Sequence, residues 1–167
     1  MKSVQTAVAV FQGTNNITGS VLFTNTSDNN CQVKAHFTQL PLGKHGFHIH
    51  KSGDLRDEGC KGACDHYHKG PLKPHGGPPT KTTKSDRHTG DLGNVEGPEF
   101  QKIYILQNVS ANELLGRAVI IHEDEDDLGL GPFEDSLTTG HSGKRIGCAI
   151  IGRVDCNQQK QTTRKIK

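Results

Sequence analysis

The sequence predicts an all-β protein in which short strands are joined by turns and by two long loops. Apolar and polar residues alternate most regularly between Cys31 and Phe37, a period of two that is typical of a strand with one buried face. Hydrophobic residues make up only 31% of the chain and 20 of its 167 residues are glycine, which favours turns and loops. Every element that can be recognised is a short strand.

The strands follow one another closely in the first third of the chain. A first strand precedes a turn at residues 13–16, and a second, at residues 17–23, follows that turn. The third strand is the alternating segment 31–37, and a fourth is centred on Phe47. Further strands are predicted at residues 102–107, 117–122 and 145–152.

Two long segments carry no strand pattern. Residues 51–100 are far longer than an ordinary connection, and such a loop in a compact domain is either functional or disordered. Its histidines and cysteines favour a functional loop over a featureless linker. The second loop, residues 123–143, is acidic and rich in glycine. No repeat or internal boundary is visible, so we predict one domain at residues 1–154 and a polar, basic tail at 155–167.

Charge and composition argue against two classes of partner. The net charge is only +2 and charges of both signs are scattered, which implies neither nucleic acid nor a membrane surface. No segment approaches the roughly 20 apolar residues of a membrane helix. The first apolar run is too short for a signal peptide, so we expect a cytoplasmic protein.

The five cysteines are an odd number, so at least one thiol is free or pairs between chains.

Two histidines on the fourth strand begin a candidate site. Phe47 and Ile49 alternate with His48 and His50, so both imidazoles face one side with Cα atoms roughly 6 to 7 Å apart. At that spacing both rings can reach one metal ion. Two solvated histidines at a strand edge would be the simpler interpretation of the pair alone, but further donors follow it.

Six histidines and one aspartate lie where a two-metal site can be assembled. They are His48, His50, His66, His75, His88, Asp91 and His122. Three histidines with one aspartate suit a tetrahedral zinc ion, whereas imidazoles alone suit copper. Seven donors shared by two ions leave one histidine to bridge them.

These ligands lie within a series of short motifs. The motifs are His45-Gly46-Phe47-His48-Ile49-His50, Gly59-Cys60, His75-Gly76-Gly77-Pro78, residues 87–95, Ile121-His122 with residues 126–129, and residues 139–148. In this order they resemble the copper/zinc superoxide dismutase family. The match covers nearly the whole chain, up to about Gly152.

The resemblance implies an eight-stranded Greek-key β-barrel, flattened into an immunoglobulin-like sandwich, with two long functional loops. It also implies a disulfide between Cys60 and Cys148, and one copper and one zinc ion per subunit. The implied copper ligands are His48, His50, His66 and His122. The implied zinc ligands are His66, His75, His88 and Asp91, so His66 bridges the two ions.

The resemblance further implies that copper alternates between Cu(II) and Cu(I) while superoxide is converted to O2 and H2O2. His66 and Arg145 are the implied catalytic residues, since His66 transfers a proton and Arg145 guides the anion. Asp126 is the implied carboxylate that orients a copper-ligand and a zinc-ligand histidine. The implied partners are superoxide, a second subunit in a homodimer and, as a further candidate, a copper chaperone.

Some positions depart from the family pattern. Thr138 stands where a lysine usually helps to attract superoxide, which predicts weaker electrostatic steering. Ser52 and Arg153 replace apolar residues of the family's dimer interface, and an isologous interface places each change twice.

His68 and His141 replace asparagines, and a loop residue is the simpler interpretation of each. Cys31 is expected to face the core, while Cys64 and Cys156 are expected to be free thiols. An inactive metal-binding or copper-chaperone module is the alternative function, although family chaperones usually lack part of the copper set. A purely structural barrel would leave the seven donors unexplained.

Overall fold

The computed structural model describes residues 5–80 and 86–154, which form two antiparallel β-sheets packed face to face. The strands are β1 (Thr6–Gln12), β2 (Thr18–Asn25), β3 (Cys31–Gln39), β4 (Lys44–His50), β5 (Asp91–Glu96), β6 (Phe100–Leu106), β7 (Ala118–His122), β8 (Arg145–Ile150) and β9 (Gly152–Arg153). One sheet has the order β6-β3-β2-β1-β9 and the other the order β5-β4-β7-β8. The all-β prediction is confirmed, as a flattened sandwich with one more strand than expected.

Short helical turns interrupt the loops and were not predicted. They are α1 (Ala111–Leu114), α2 (Ser136–Thr139) and two 3-10 turns at Thr14–Asn16 and Glu58–Ala63. The last of these carries Cys60 and is called the disulfide segment below. No helix in the described ranges has the length and apolar character needed to cross a membrane.

The core lies between the sheets and is built from the inward positions of the alternating strands. Phe37 packs against Phe11 with ring centroids 5.3 Å apart and meets Phe47 edge-on at 6.0 Å. Cys31 has no exposed surface and, as predicted, faces this core; burial raises the pKa of its thiol to about 12. The predicted alternation of β3 therefore fixes which face of that sheet is buried.

Strand β5 is a correction to the sequence analysis, which placed residues 91–96 within the first long loop. These residues pair with β4, with an irregularity in register between Gly46 and His48. Asp91 is fully buried and Asn94 is partly buried, so the strand lacks the alternation of an ordinary half-buried strand. Its polar residues face inward because they belong to the site described below.

The first long loop is tied back to the β4 edge by backbone hydrogen bonds. Tyr67 N donates to Ile49 O at 2.7 Å, and Gly90 N donates to Tyr67 O at 2.8 Å. The predicted disulfide between Cys60 and Cys148 is present and joins the disulfide segment to β8. His66 therefore lies between two attachment points of the loop, the disulfide at Cys60 and the backbone hydrogen bond of Tyr67.

Removing the disulfide is expected to lower the free energy of unfolding by about 4 to 5 kcal/mol, because the bridge closes a long loop. The two cysteines are 88 residues apart. The test is equilibrium denaturation of the metal-free Cys60→Ser/Cys148→Ser protein, so that metal binding adds nothing to stability. Cys64→Ser, which removes an exposed free thiol beside the same segment, is the matched control and is expected to change stability by less than about 0.5 kcal/mol. Equal stability of the double variant and the control would contradict the prediction.

Candidate metal centre

Two neighbouring strands of the smaller sheet and one loop bring the first cluster of donors together. His48 and His50 lie on β4, which pairs with β7, and His122 is the last residue of β7. An isolated β-bridge between His50 and His66 adds the loop histidine. The ligand atoms of these four buried residues all lie within 4.8 Å of one another. The structure therefore brings together the whole set predicted for copper.

Hydrogen bonds on the far side of each ring fix which nitrogen faces the first cluster. His48 Nε2 lies 2.8 Å from Asp126 Oδ2, so its Nδ1 faces inward. His50 Nδ1 donates to Cys64 O at 2.7 Å and His122 Nδ1 donates to Gly143 O at 3.1 Å. Their Nε2 atoms consequently face each other across 3.3 Å. Such outer partners set the tautomers of metal-binding histidines.

The second cluster is arranged around the carboxylate of Asp91. Its Oδ1 lies 2.8 Å from His66 Nδ1, 3.1 Å from His75 Nδ1 and 3.3 Å from His88 Nδ1. Its Oδ2 accepts backbone hydrogen bonds from Gly76 N at 3.0 Å and His88 N at 2.8 Å. Burial alone would raise the pKa of Asp91, but the surrounding histidines outweigh burial and lower that pKa well below its ordinary range.

His66 is the member that the two clusters share. Its Nδ1 meets Asp91 in the second cluster, whereas its Nε2 is buried without a hydrogen-bond partner. The His66 ring lies 4.1 Å from the His48 ring and 5.1 Å from the His75 ring, measured between centroids. One imidazole can therefore contribute a nitrogen to each cluster, as the bridging prediction requires.

Asp126 connects the two clusters from behind. Its Oδ2 lies 2.8 Å from His48 Nε2 and its Oδ1 lies 2.8 Å from His75 Nε2. Burial raises the pKa of Asp126. Burial works in the opposite direction on His75, but the Asp126 and Asp91 carboxylates outweigh it and raise the pKa of His75 to about 9. The contacts of Asp126 match those predicted for the orienting carboxylate.

Asn94 holds Asp126 in place and was not singled out by sequence analysis. Asp126 N donates to Asn94 Oδ1 at 2.7 Å, and Asn94 Nδ2 donates to Asp126 O at 2.9 Å. Gly140 also matters here, since a Cβ at that position would lie far too close to Asp126 Oδ1. Asn94 and Gly140 both occur in the quoted motifs, so a motif could have marked them, but only geometry shows their roles.

The unpartnered nitrogens provide a test of whether these residues suit metal ions. Within the two clusters, His48 Nδ1 and His66 Nε2 are buried and have no hydrogen-bond partner, whereas His75 Nδ1 faces Asp91 Oδ1. Leaving buried polar atoms unpaired costs about 1 to 3 kcal/mol each, unless a ligand satisfies them. The first cluster offers only imidazole nitrogens, which suit copper, and the second offers imidazoles with one carboxylate, which suits zinc. The donors therefore fit both ions.

A cleft of about 660 Å³ leads to the first cluster, and its lining includes His50, His66, His122 and Arg145. The Arg145 guanidinium is held at the side of this cleft by backbone carbonyls. Its Nη1 donates to Cys60 O and its Nη2 donates to Cys64 O, each at 2.6 Å. A fixed cation thus lies beside the nitrogens of the first cluster, where the sequence placed an anion-guiding arginine.

Comparison with known proteins identifies the family to which this arrangement belongs. The sequence profile of copper/zinc superoxide dismutase (SODC) matches residues 17–151. The chain belongs to the copper/zinc superoxide dismutase family. It is 41% identical over 153 residues to a "Superoxide dismutase [Cu-Zn]" of Paramecium bursaria Chlorella virus 1, covering 87% of this chain and 77% of the relative.

A second relative is named for a different function. The chain is 35% identical over 156 residues to the "Copper chaperone for superoxide dismutase" of Rattus norvegicus, covering 92% of this chain but 55% of the chaperone. Among solved structures, the crystal structure of the clock protein EA4 is similar with a TM-score of 0.80 and 34% identity, covering 92% of this chain and 98% of that one. Proteins named as a dismutase and as a copper chaperone are thus both similar to this chain over most of its length.

Two histidines that depart from the family pattern lie outside both clusters of this dismutase-family chain. His68 Nε2 lies 2.6 Å from Pro71 O, and its Nδ1 accepts from Thr89 N at 3.1 Å. His141 stacks on Phe133 with ring centroids 3.7 Å apart. Both contacts support the prediction that these histidines are loop residues.

Several predictions about the dismutase-family chain stay open. Of the two positions that depart from the family's interface, Ser52 is partly buried and Arg153 is exposed on β9. The homodimer, the copper-chaperone partner and the cytoplasmic location stay predictions. Cys156 and the tail at 155–167 lie outside the described residues, so the domain boundary also stays a prediction.

Proposed function

We propose that this chain is an active superoxide dismutase that holds one copper and one zinc ion. The complete set of seven donors supports this most directly, because every outer hydrogen bond needed to aim the copper-site histidines is already made. Bound copper would supply one-electron chemistry, oxidising one superoxide to O2 and reducing a second to H2O2, while bound zinc would add positive charge beside it.

The residues of the chain attract the substrate anion, supply a proton and orient the ligands. Arg145 provides a fixed positive charge at the side of the cleft and attracts the superoxide anion. His66 can hold a proton at its unpartnered Nε2 and pass it to the reduced product, while Asp91 holds its Nδ1 at 2.8 Å. Asp126 keeps His48 and His75 oriented throughout, because it contacts both rings.

A copper-chaperone role is the second candidate, because the rat chaperone is similar to nearly the whole chain. This chain spans only about half of that relative's length, and its copper cluster is complete. The two functions are separated by measuring superoxide decay with the metal-loaded chain and copper transfer to a metal-free dismutase. Rapid decay without dependence on an acceptor protein supports the dismutase.

Electrostatic steering is expected to be weak in the wild type and stronger in Thr138→Lys. Thr138 lines the cleft together with Asp65 and Asp135, while Lys51 in the same wall is paired with Asp65 at 3.1 Å. One added charge several ångströms from the anion path is worth about 0.5 kcal/mol in water, or roughly a twofold gain in rate. The measurement is the superoxide decay rate as a function of ionic strength, where Thr138→Lys should also steepen the decline with salt.

The matched variants for this prediction are Thr138→Gln and Arg145→Glu. Thr138→Gln adds bulk without charge and is expected to leave the rate and its salt dependence unchanged. Arg145→Glu is expected to lower the rate at least about tenfold and to flatten or invert the salt dependence, because a repelled anion gains from screening. If Thr138→Lys changes neither quantity while Arg145→Glu is severely impaired, Arg145 acts by local positioning and the long-range argument is wrong.

A further inference from the structure

The segment that carries His66 is held by backbone hydrogen bonds at the next residue, Tyr67. Tyr67 N donates to Ile49 O at 2.7 Å, and Gly90 N donates to Tyr67 O at 2.8 Å. A third bond joins the two partners, since Ile49 N donates to Gly90 O at 2.9 Å. Ile49 lies between the two histidines of β4, and Gly90 directly precedes Asp91. The backbone of Tyr67 is therefore bonded to residues that flank donors of both clusters.

These backbones approach one another closely at Gly90. A Cβ at Gly90 would collide with Ile49 O, so no larger residue fits there without a shift of the backbone. On the other side, the β-bridge between His50 and His66 brings the loop against β4. Because close-packed elements transmit displacements, a shift of Tyr67 would be passed to His66.

One face of the Tyr67 ring is covered by the guanidinium group of Arg117, the residue before β7. Arg117 Cζ lies 3.8 Å from the ring centroid, and the ring is buried. Arg117 Nη1 also donates to Lys51 O at 2.9 Å, and its Nε donates to Glu113 O at 3.0 Å. Lys51 directly follows His50. One side chain thus joins the residue after a first-cluster donor to the residue after the shared donor.

The contacts of Arg117 need a planar group with several donors. A guanidinium can stack on an aromatic ring and donate hydrogen bonds in its own plane at the same time, whereas a lysine ammonium cannot do both in this geometry. The backbone of Arg117 is itself fixed, because its N donates to Leu114 O at 3.2 Å and its O accepts from Ile151 N at 2.9 Å. Arg117 therefore offers Tyr67 a rigid support.

We propose that Arg117 is a positioning residue for His66 and acts through the ring of Tyr67. Arg117 is not one of the described residues that line the cleft, so it reaches the clusters through the segments that it holds. The inference deepens the proposed function and rests on it, because it concerns how two metal ions share His66. Since His66 belongs to both clusters, its displacement weakens both metal sites together.

Arg117→Met tests the proposal, because methionine keeps an apolar stem but removes the planar group and its donors. The full chain is loaded with copper and zinc, and competition with a chelator gives its affinity for each ion. Loss of a group that orients metal ligands typically lowers metal affinity 10- to 100-fold, so both affinities should fall by about tenfold. Arg56→Met is the matched control, since Arg56 is exposed and pairs with Asp54 at 2.7 Å. It should match the wild type.

The electron paramagnetic resonance spectrum of bound Cu(II) separates positioning from a general loss of stability. The spectrum is recorded on folded, fully loaded protein, so a change in stability alone leaves it unaltered. A displaced His66 changes the ligand geometry around the ion, and the spectrum responds to that geometry. We expect an altered spectrum in Arg117→Met and the wild-type spectrum in Arg56→Met.

Variants of Tyr67 test whether the effect passes through the ring. Tyr67→Leu should reproduce both effects of Arg117→Met, whereas Tyr67→Phe keeps the ring and should behave like the wild type. The double variant Tyr67→Leu/Arg117→Met should lose no more affinity than the weaker-binding single variant, because both changes remove the same contact. Arg117→Lys keeps the charge without the planar group and should still lower both affinities at least about threefold.

Several results would overturn this inference while leaving the proposed function intact. They are wild-type affinities in Arg117→Met, loss of affinity for only one ion, and weaker binding with an unchanged Cu(II) spectrum. Additive losses in the double variant would show that the Tyr67 contact does not carry the effect, and wild-type behaviour of Arg117→Lys would show that charge alone suffices. A wild-type chain that binds neither copper nor zinc would overturn the proposed function and this inference together.

Discussion

His122→Ala is expected to abolish superoxide dismutation while the second cluster keeps its zinc. His122 contributes Nε2 to the first cluster, where it faces His50 Nε2 at 3.3 Å, and its other nitrogen is bonded to Gly143 O. It is absent from the group formed by His66, His75, His88 and Asp91. Losing an outer partner of a metal ligand typically costs 10- to 100-fold, so losing a ligand should lower activity by more than about 100-fold.

The measurement for His122→Ala is the copper and zinc content after dialysis, together with the rate of superoxide decay. His141→Ala is the matched control, because His141 belongs to the second long loop and stacks on Phe133 without joining either cluster. It should keep both metals and its activity. Equal losses of zinc and copper in His122→Ala, or an unchanged decay rate, would refute the division of the donors between the two sites.

Asp91→Ala is expected to do the reverse and release zinc first. The carboxylate is the one anionic member of the second cluster and receives three histidines and two backbone amides, from Gly76 and His88. Its removal leaves those donors facing one another, so zinc affinity should fall by more than about 100-fold. The first long loop should also loosen, because metal binding contributes to the folding free energy of the segments that supply ligands.

Zinc retention against a chelator and hydrogen exchange of the Gly76 and His88 amides measure these two effects. Asp86→Ala is the matched control, since Asp86 lies in the same loop but is an exposed partner of Lys73. That control should retain zinc and protection of both amides. Retention of zinc by Asp91→Ala at the wild-type level would show that Asp91 does not hold the ion.

The sequence predicted the fold best where side chains obey a simple alternation. Strand β3 alternates buried residues with exposed or partly buried ones from Cys31 to Phe37, and its position follows from that pattern alone. Strand β5 was missed because its residues do not alternate between apolar and polar. Asp91 and Asn94 are polar residues of the metal centre, and Gly93 has a positive φ. The short helices were missed because four residues are too few to show a helical period.

The candidate site was predictable only in part from residue spacing. His48 and His50 are adjacent on one strand face, so their partnership follows from strand geometry. The loop residues His66, His75 and His88 could be placed only through the family resemblance, since spacing within a long loop fixes no geometry. The carbonyls of Cys64 and Gly143 orient two ligands, yet a backbone group carries no sequence signature.

The most direct test of the two-metal account is a copper titration of the zinc-loaded, copper-free protein, followed by superoxide decay. Because the first cluster can hold one ion and shares His66 with the second, the decay rate should rise linearly to one copper per chain and then stay constant. Absence of superoxide decay at one bound copper, or activity that keeps rising to a second equivalent, would contradict the account.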